Sequence, residues 1–206
     1  MKIYLTRHGQ TQWNTEKRMH GHKNANLTEQ GIEGAKRLGK RLENIDFDCI
    51  YSSPLERALD TAKYIRGNKD TQIITSEYLK EINFGKWEGM LEEDAKEDNP
   101  DQFYNLWNKP ELFQPVEDGE KIEDLIERIK VWFFETVNNS QHENILIVTH
   151  GVVKRGFYTF LKNNNIESFW DDPHISNTSL TIIDTKDDKI EFILEADTSH
   201  LDINID

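Results

Sequence analysis

The sequence predicts an α/β sandwich with a mostly parallel central sheet. Two observations carry that expectation. Short apolar segments suited to strands alternate with segments of helical period along most of the chain. The most apolar of them, residues 143–149 (ENILIVT), lacks polar alternation, as a strand buried on both faces does.

The elements follow in order. Residues 2–6 (KIYLT) read as a strand, with Ile3 and Leu5 apolar and Tyr4 suited to a pleated surface. Arg7-His8-Gly9 comes at once, then Gln10, Thr11, Trp13 and Asn14. Ligands of open α/β sheets bind beyond the carboxyl ends of strands, and Arg7, Thr11 and Asn14 all donate hydrogen bonds. Residues 17–26 form a polar loop rich in His and Asn. Thr28 is a helix N-cap, followed by an apolar stripe of Ile32, Ala35, Leu38 and Leu42. Residues 48–51 read as a second strand. Ser53 and Glu56 then spell a capping box with Pro54 at the first helical position, and Gly67 stops that helix. Arg57 falls in its first turn, where the helix dipole disfavours a cation unless it serves something.

Residues 72–75 are a third strand, and residues 78–89 an ordered loop whose acids are Glu81 and Glu88. Asn99-Pro100 opens a short helix through Phe103, Leu106 and Trp107. Residues 119–138 read as one long helix burying Ile122, Leu125, Ile126, Ile129, Trp132 and Phe133. His150-Gly151 closes the apolar strand, repeating the opening pattern, and residues 151–162 are helical. Residues 178–184 and 189–195 read as strands of a hairpin across Lys186, Asp187 and Asp188. With no linker or repeat, residues 1–206 are expected to form one domain.

Composition limits the function. The chain has 206 residues, 36% hydrophobic, enough for a sizeable core. Its net charge of −13 disfavours nucleic-acid binding, although a small basic cleft creates its own local field. The single cysteine, Cys49, closes no intramolecular disulfide and makes no paired-Cys zinc pattern. The chain runs straight into KIYLT without an apolar leader, and no apolar run approaches a membrane span. These features point to a cytoplasmic protein of unspecified oligomeric state, without membrane or nucleic-acid partners.

Neutral imidazole attacks phosphorus near neutral pH, provided fixed donors hold the negative oxygens. Arg-His-Gly suits that chemistry, but a short tripeptide also suits a surface loop.

Taken as a set, four segments decide between these readings. Arg7-His8-Gly9, Ser52-Ser53-Pro54-Leu55-Glu56-Arg57-Ala58, Glu81 ahead of Phe84-Gly85-Lys86-Trp87-Glu88-Gly89, and Val148-Thr149-His150-Gly151 resemble the histidine phosphatase superfamily, the phosphoglycerate mutase-like family and its small phosphatase branch. The likeness runs from residue 2 to about residue 179. It includes Leu27-Thr28-Glu29-Gln30-Gly31 and the Asp118-Gly119-Glu120 entry to the long helix.

The resemblance implies a three-layer α/β/α sandwich with a helical cap, residues 82–142, over the carboxyl ends of the strands. It implies that His8 is the nucleophile that becomes phosphohistidine. Arg7, Arg57 and His150 would hold the phosphate, with Asn14 as a further donor. Glu81 would serve as general acid and then base. No metal or cofactor is called for, because cationic side chains neutralise the phosphoryl oxygens. Gln10 stands where many members have Glu, and still suits orienting the loop. His20 and His22 stand where members often have Arg and Gln. Either is placed to touch the non-phosphate end of the substrate, a partly exposed polar loop being the plain alternative and a metal site a remote one.

The family contains phosphatases and mutases. Only 68 residues separate Glu81 from His150, shorter than is usual in mutases, and residues 90–143 carry fifteen Asp or Glu against five Lys or Arg. Such a cap is a poor second clamp for a bisphosphate. The expectation is a phosphomonoester phosphatase, of broad specificity or ribazole phosphatase-like, on a small metabolite. A cofactor-dependent phosphoglycerate mutase is the alternative, and a non-catalytic phosphoester-binding protein a third. Of Phe103, Tyr104, Trp107 and Phe113, most are expected in the core, with one or two lining the cleft.

Overall fold

Six strands form a single mixed sheet: β1 (Lys2–Arg7), β2 (Cys49–Ser52), β3 (Ile73–Thr75), β4 (Asn144–Thr149), β5 (Leu180–Lys186) and β6 (Lys189–Asp197). Their spatial order is β3-β2-β4-β1-β5-β6. The first four are mutually parallel, β5 runs antiparallel to β1, and β6 antiparallel to β5. The computed structural model describes residues 1–171, 173–186 and 189–202. Asp187 and Asp188 of the expected hairpin therefore lie outside the described residues.

Alternation along the strands sorts side chains between two cores. Ile3, Leu5, Cys49, Tyr51, Ile145 and Ile147 face one side; Tyr4, Ile50, Leu146 and Val148 face the other. Helices α2 (Glu29–Arg41) and α3 (Glu56–Arg66) cover the second face through Ala35, Leu38, Ala58, Ala62 and Ile65. Helices α6 (Ile122–Trp132) and α7 (Gly151–Leu161) cover the first through Leu125, Ile129, Trp132, Val153 and Phe157. Three further helices are short: α1 (Gln12–Glu16), α4 (Glu92–Asp98) and α5 (Pro100–Asn108). Among the described residues no helix is long and apolar enough to cross a membrane.

This winding places a topological switch between β1 and β4. From β1 the chain continues to α2 on one face, and from β4 it continues directly to α7 on the opposite face. The crevice between diverging connections is where such sheets take ligands. Arg7 pairs with Thr149 in register, and the His8 amide donates to the Thr149 carbonyl at 2.8 Å. His8 and His150 consequently stand side by side just past the two strands.

Several boundaries differ from expectation, among them β5, which spans Leu180–Lys186 rather than residues 178–184. Helix α3 begins at Glu56 with Leu55 as an N-cap that makes no side-chain bond. Ser53 instead accepts from the Leu55 amide at 3.2 Å, and its own amide goes to the Val148 carbonyl. That local turn competes with the capping box. The long helix starts later than expected and changes type, without ending, near residue 133. Asp118 takes a left-handed φ of 60°, and the Glu120 amide is given to the Asn83 carbonyl, so the helix starts only at Ile122. At the far end Phe133–Val137 form a π-helical turn. The short helices α1 and α4 were not anticipated. Thr11 caps α1 in a capping box with Asn14, too brief a pattern to show as periodicity.

One close approach fixes the start of the site. A Cβ on Gly9 would lie 2.5 Å from the Gly31 carbonyl oxygen, and a Cβ on Gly31 only 2.1 Å from that of Gln10. Helix α2 thus presses its first turn directly onto the backbone after His8. We expect Gly31→Ala to lower stability by about 1–3 kcal/mol, the usual cost of overpacking, read as a lowered thermal midpoint; an unchanged midpoint would contradict this contact.

Candidate active site

His8 is the centre of the site and is held in one tautomer. Its Nδ1 lies 2.7 Å from the Gly9 carbonyl oxygen. A carbonyl only accepts, so Nδ1 carries the hydrogen and Nε2 presents its lone pair. Burial pushes the His8 pKa well below its ordinary value, and the positive charges of Arg57 and Arg7 add to the effect. The imidazole is therefore neutral, the form that acts as a nucleophile.

The His150 ring centroid is 5.2 Å from that of His8. The same causes, burial first and then Arg57, hold His150 well below its ordinary pKa. Both ring nitrogens of His150 are buried without a hydrogen-bond partner, as are Arg7 Nε and Arg57 Nε. Four of the six such atoms among the described residues thus belong to this site. Buried donors are rarely left unpaired, and a tetrahedral oxyanion supplies the acceptors this set requires.

The two arginines are anchored through their other nitrogens. Arg7 Nη1 donates to the Ile175 carbonyl at 2.9 Å. Arg57, 1% exposed, donates to the carbonyls of Gly21 at 2.7 Å and Lys23 at 2.8 Å. Burial lowers the Arg57 pKa to about 10, so it stays charged at neutral pH. Its place in the first turn of α3 is explained by this service to the 20–24 loop.

Asn14 lines the cleft. Its side-chain oxygen accepts from the Thr11 amide at 3.0 Å and from Asn177 Nδ2 at 3.3 Å, which leaves Nδ2 to donate into the cleft. His20 also lines it, with its ring 6.2 Å from that of His8 and Nε2 2.7 Å from Thr11 Oγ1. Burial, with Arg57 and Arg7, lowers the His20 pKa to about 3. Gln10 accepts from the Thr28 hydroxyl at 2.9 Å and so ties the loop to the start of α2.

Glu81 is buried, and its carboxylate reaches the amino end of α7. It accepts from the amides of Val152 at 3.2 Å, Val153 at 3.3 Å and its neighbour Ile82 at 3.0 Å. Glu88, the other acid of this loop, faces away from catalysis. It accepts from the amides of His22, Lys23 and Phe84 and shapes the segment around Gly21.

The structure separates His22 from the substrate end. Its Nε2 donates to the Glu81 carbonyl at 3.0 Å, behind the acid. His20 and His22 thus turn to different partners. Among the described residues no three His, Cys, Asp or Glu side chains gather to hold a metal.

A cleft of about 480 Å³ opens from His8. Besides Arg7, Asn14, His20 and Glu81, it is lined by Met19, Phe84, Trp107 and Trp170 on the apolar side and by Arg18, Glu92, Arg155 and His174 on the polar side. Arg57 and His150 are buried next to His8 and do not line this cleft. Of the aromatics expected near the cap, Trp107 reaches the cleft and packs against Trp170, their ring centroids 4.7 Å apart and the planes tilted by 46°. Phe113 is buried, and Tyr104 is exposed.

Sequence reasoning missed Arg155 and Asn177. Arg155 follows His150 on the same helix, a spacing that by itself carries no signal. Asn177 Nδ2 donates to the His8 carbonyl at 3.1 Å from a loop 169 positions away. Only the pairing of β5 with β1 brings it there.

Comparison with known proteins identifies the family. The model of the histidine phosphatase superfamily (branch 1) matches residues 3–198. Phosphoserine phosphatase 1 of Hydrogenobacter thermophilus is 31% identical over 82% of this chain and 80% of its own. A 2,3-bisphosphoglycerate-dependent phosphoglycerate mutase of Parvibaculum lavamentivorans is 31% identical over 72% and 74%. The solved structure of Bacillus stearothermophilus YhfR superposes with a TM-score of 0.94 at 38% identity, covering 97% of this chain and 98% of that one.

His8, His20, His150 and the buried His200, whose burial lowers its pKa to about 4, all titrate lower when folded than the ordinary value near 6.5. The unfolded chain therefore binds more protons in acid. Stability is full above about pH 6.5 and is lost as pH falls from there through about 4 for His200 and about 3 for His20. Thermal midpoints measured from pH 7.5 to pH 4.5 should fall steadily below about pH 6.5; a flat profile would contradict the neutral buried imidazoles.

Proposed function

The chain belongs to the histidine phosphatase superfamily, and on that premise we propose that it is a phosphomonoester hydrolase for a small metabolite, acting through a phosphohistidine on His8. The observation that carries this reading is the His8 Nδ1–Gly9 carbonyl bond, which leaves Nε2 as the free nucleophile beside buried, unpartnered nitrogens of Arg7, Arg57 and His150.

In the first step Nε2 attacks phosphorus and the ester P–O bond breaks. Arg7 and Arg57 bear the phosphoryl charge, and His150 and Asn14 complete the donor set. Glu81 gives its proton to the departing oxygen. In the second step Glu81 takes a proton from water as the water oxygen attacks phosphorus. The P–N bond breaks, and His8 returns to the neutral imidazole. Residues 82–142 act as the cap that borders the leaving group, with His20, Trp107 and Glu92 around it. No cofactor or metal enters either step.

The alternative, a mutase, needs a second clamp for a bisphosphate. The excess of acids in residues 90–143 opposes that clamp, and Glu92 of that stretch lines the cleft itself. The mutase-like relative keeps the alternative testable. A compact leaving group with an apolar face suits the Trp107–Trp170 wall, and a ribazole-like ester or another small monoester fits equally.

Purified protein is expected to hydrolyse p-nitrophenyl phosphate in the presence of EDTA. His8→Ala should abolish turnover, a loss of more than about a thousandfold for a covalent nucleophile. Activity surviving His8→Ala, or requiring a divalent ion, would refute the mechanism. With 3-phosphoglycerate and a catalytic trace of 2,3-bisphosphoglycerate, inorganic phosphate rather than 2-phosphoglycerate should accumulate; rapid formation of 2-phosphoglycerate would favour the mutase.

A further inference from the structure

The Asp118-Gly119-Glu120 segment has no part in the mechanism above, yet it meets the acid-bearing loop. Arg128, on α6, donates through Nε to Glu120 Oε1 at 2.6 Å and through Nη2 to Glu120 Oε2 at 3.0 Å. Both side chains are more than four-fifths buried, unlike an exposed ion pair of little consequence. Nη1 donates to the Tyr78 carbonyl, and the second hydrogen of Nη2 is shared between the carbonyls of Lys80 at 2.8 Å and Glu81 itself at 3.2 Å. Glu120 accepts in turn from the Asn83 amide at 3.2 Å and donates its own amide to the Asn83 carbonyl at 2.8 Å. The pair therefore brackets the acid on both sides, at residues 78–81 and at residue 83.

The two ends of Glu81 are held by two packed helices. Amides at the amino end of α7 hold the carboxylate, and Arg128 of α6 holds the backbone, with His22 sharing the same carbonyl. Helices α6 and α7 touch at Gly156, where a Cβ would lie 2.5 Å from Ile129 and 2.9 Å from Leu125. The distance between the two grips is thereby set by core packing. General acid catalysis depends on such placement, since a proton donor must lie within hydrogen-bond reach of the departing oxygen.

We propose that Arg128, oriented by Glu120, is a positioning residue for Glu81, and that its effect grows with the leaving group's need for a proton. The inference rests on the acid role of Glu81 stated under the proposed function. Arg128 touches no substrate; it acts by fixing the peptide from which the acid projects.

The test compares kcat/KM on two esters, because this parameter covers the steps through phosphoenzyme formation, where the leaving oxygen departs. p-Nitrophenolate leaves without a proton, whereas the alkoxide of glycerol 2-phosphate requires one. Arg128→Gln should lose on the order of 10- to 100-fold with glycerol 2-phosphate, within the range of general acid catalysis, and less than about threefold with p-nitrophenyl phosphate. Arg128→Lys, which keeps a donor and the charge, should fall between wild type and Arg128→Gln and serves in its place if that variant does not fold. An equal loss on both esters means a purely structural role and overturns the proposal, as does no loss on either. Glu81→Gln is the internal standard. If it fails to discriminate between the esters, the acid role itself fails; if it discriminates and neither Arg128 variant does, only the role of Arg128 is lost.

Discussion

One buried guanidinium, Arg57, and one half-buried, Arg7, packed beside two buried imidazoles define the electrostatics of this crevice. Removing a cation from water is costly, and two in one site repel each other. The imidazoles cannot add further charge, so His8 and His150 stay neutral. A neutral His8 whose Nδ1 is committed to Gly9 has only one nitrogen left to react. On the proposed function, the positive field that would hold a phosphoryl group is the same field that keeps His8 unprotonated.

The surrounding fold serves that arrangement. Neighbouring parallel strands deliver Arg7-His8 and His150 to one crevice. The Gly9–Gly31 contact brings α2 against the turn after His8, and Arg57 reaches from α3 to brace the 20–24 loop. Lys154, completely buried, ties α7 to the start of β5 through the Ser179 carbonyl at 2.7 Å. That segment in turn supplies Asn177 to the backbone of His8. The chain as a whole is strongly acidic, and Arg7, Arg18 and Arg155 make the cleft locally basic.

Much of this was legible from local pattern. Strand alternation, the Thr28 cap and the Asn99-Pro100 helix start appear where the residues put them, because each depends on neighbours within a few positions. The Ser53 capping box did not, because tertiary pairing of Ser53 with β4 drew its backbone into a turn. For His22 the residues left a substrate contact and a plain polar loop both open, and only the folded chain reveals that its ring turns back to the Glu81 carbonyl.

Residue order alone supplies the types of chemistry available: an imidazole and a guanidinium at one strand end, an imidazole at another, a carboxyl in a constrained loop, and an acidic segment between them. These are local and survive in any conformation. Folding decided which donors are buried without partners, which helix grips which end of Glu81, and what braces the backbone of His8. Those properties depend on burial and on contacts between residues 47 to 169 positions apart, and a linear pattern holds no record of them.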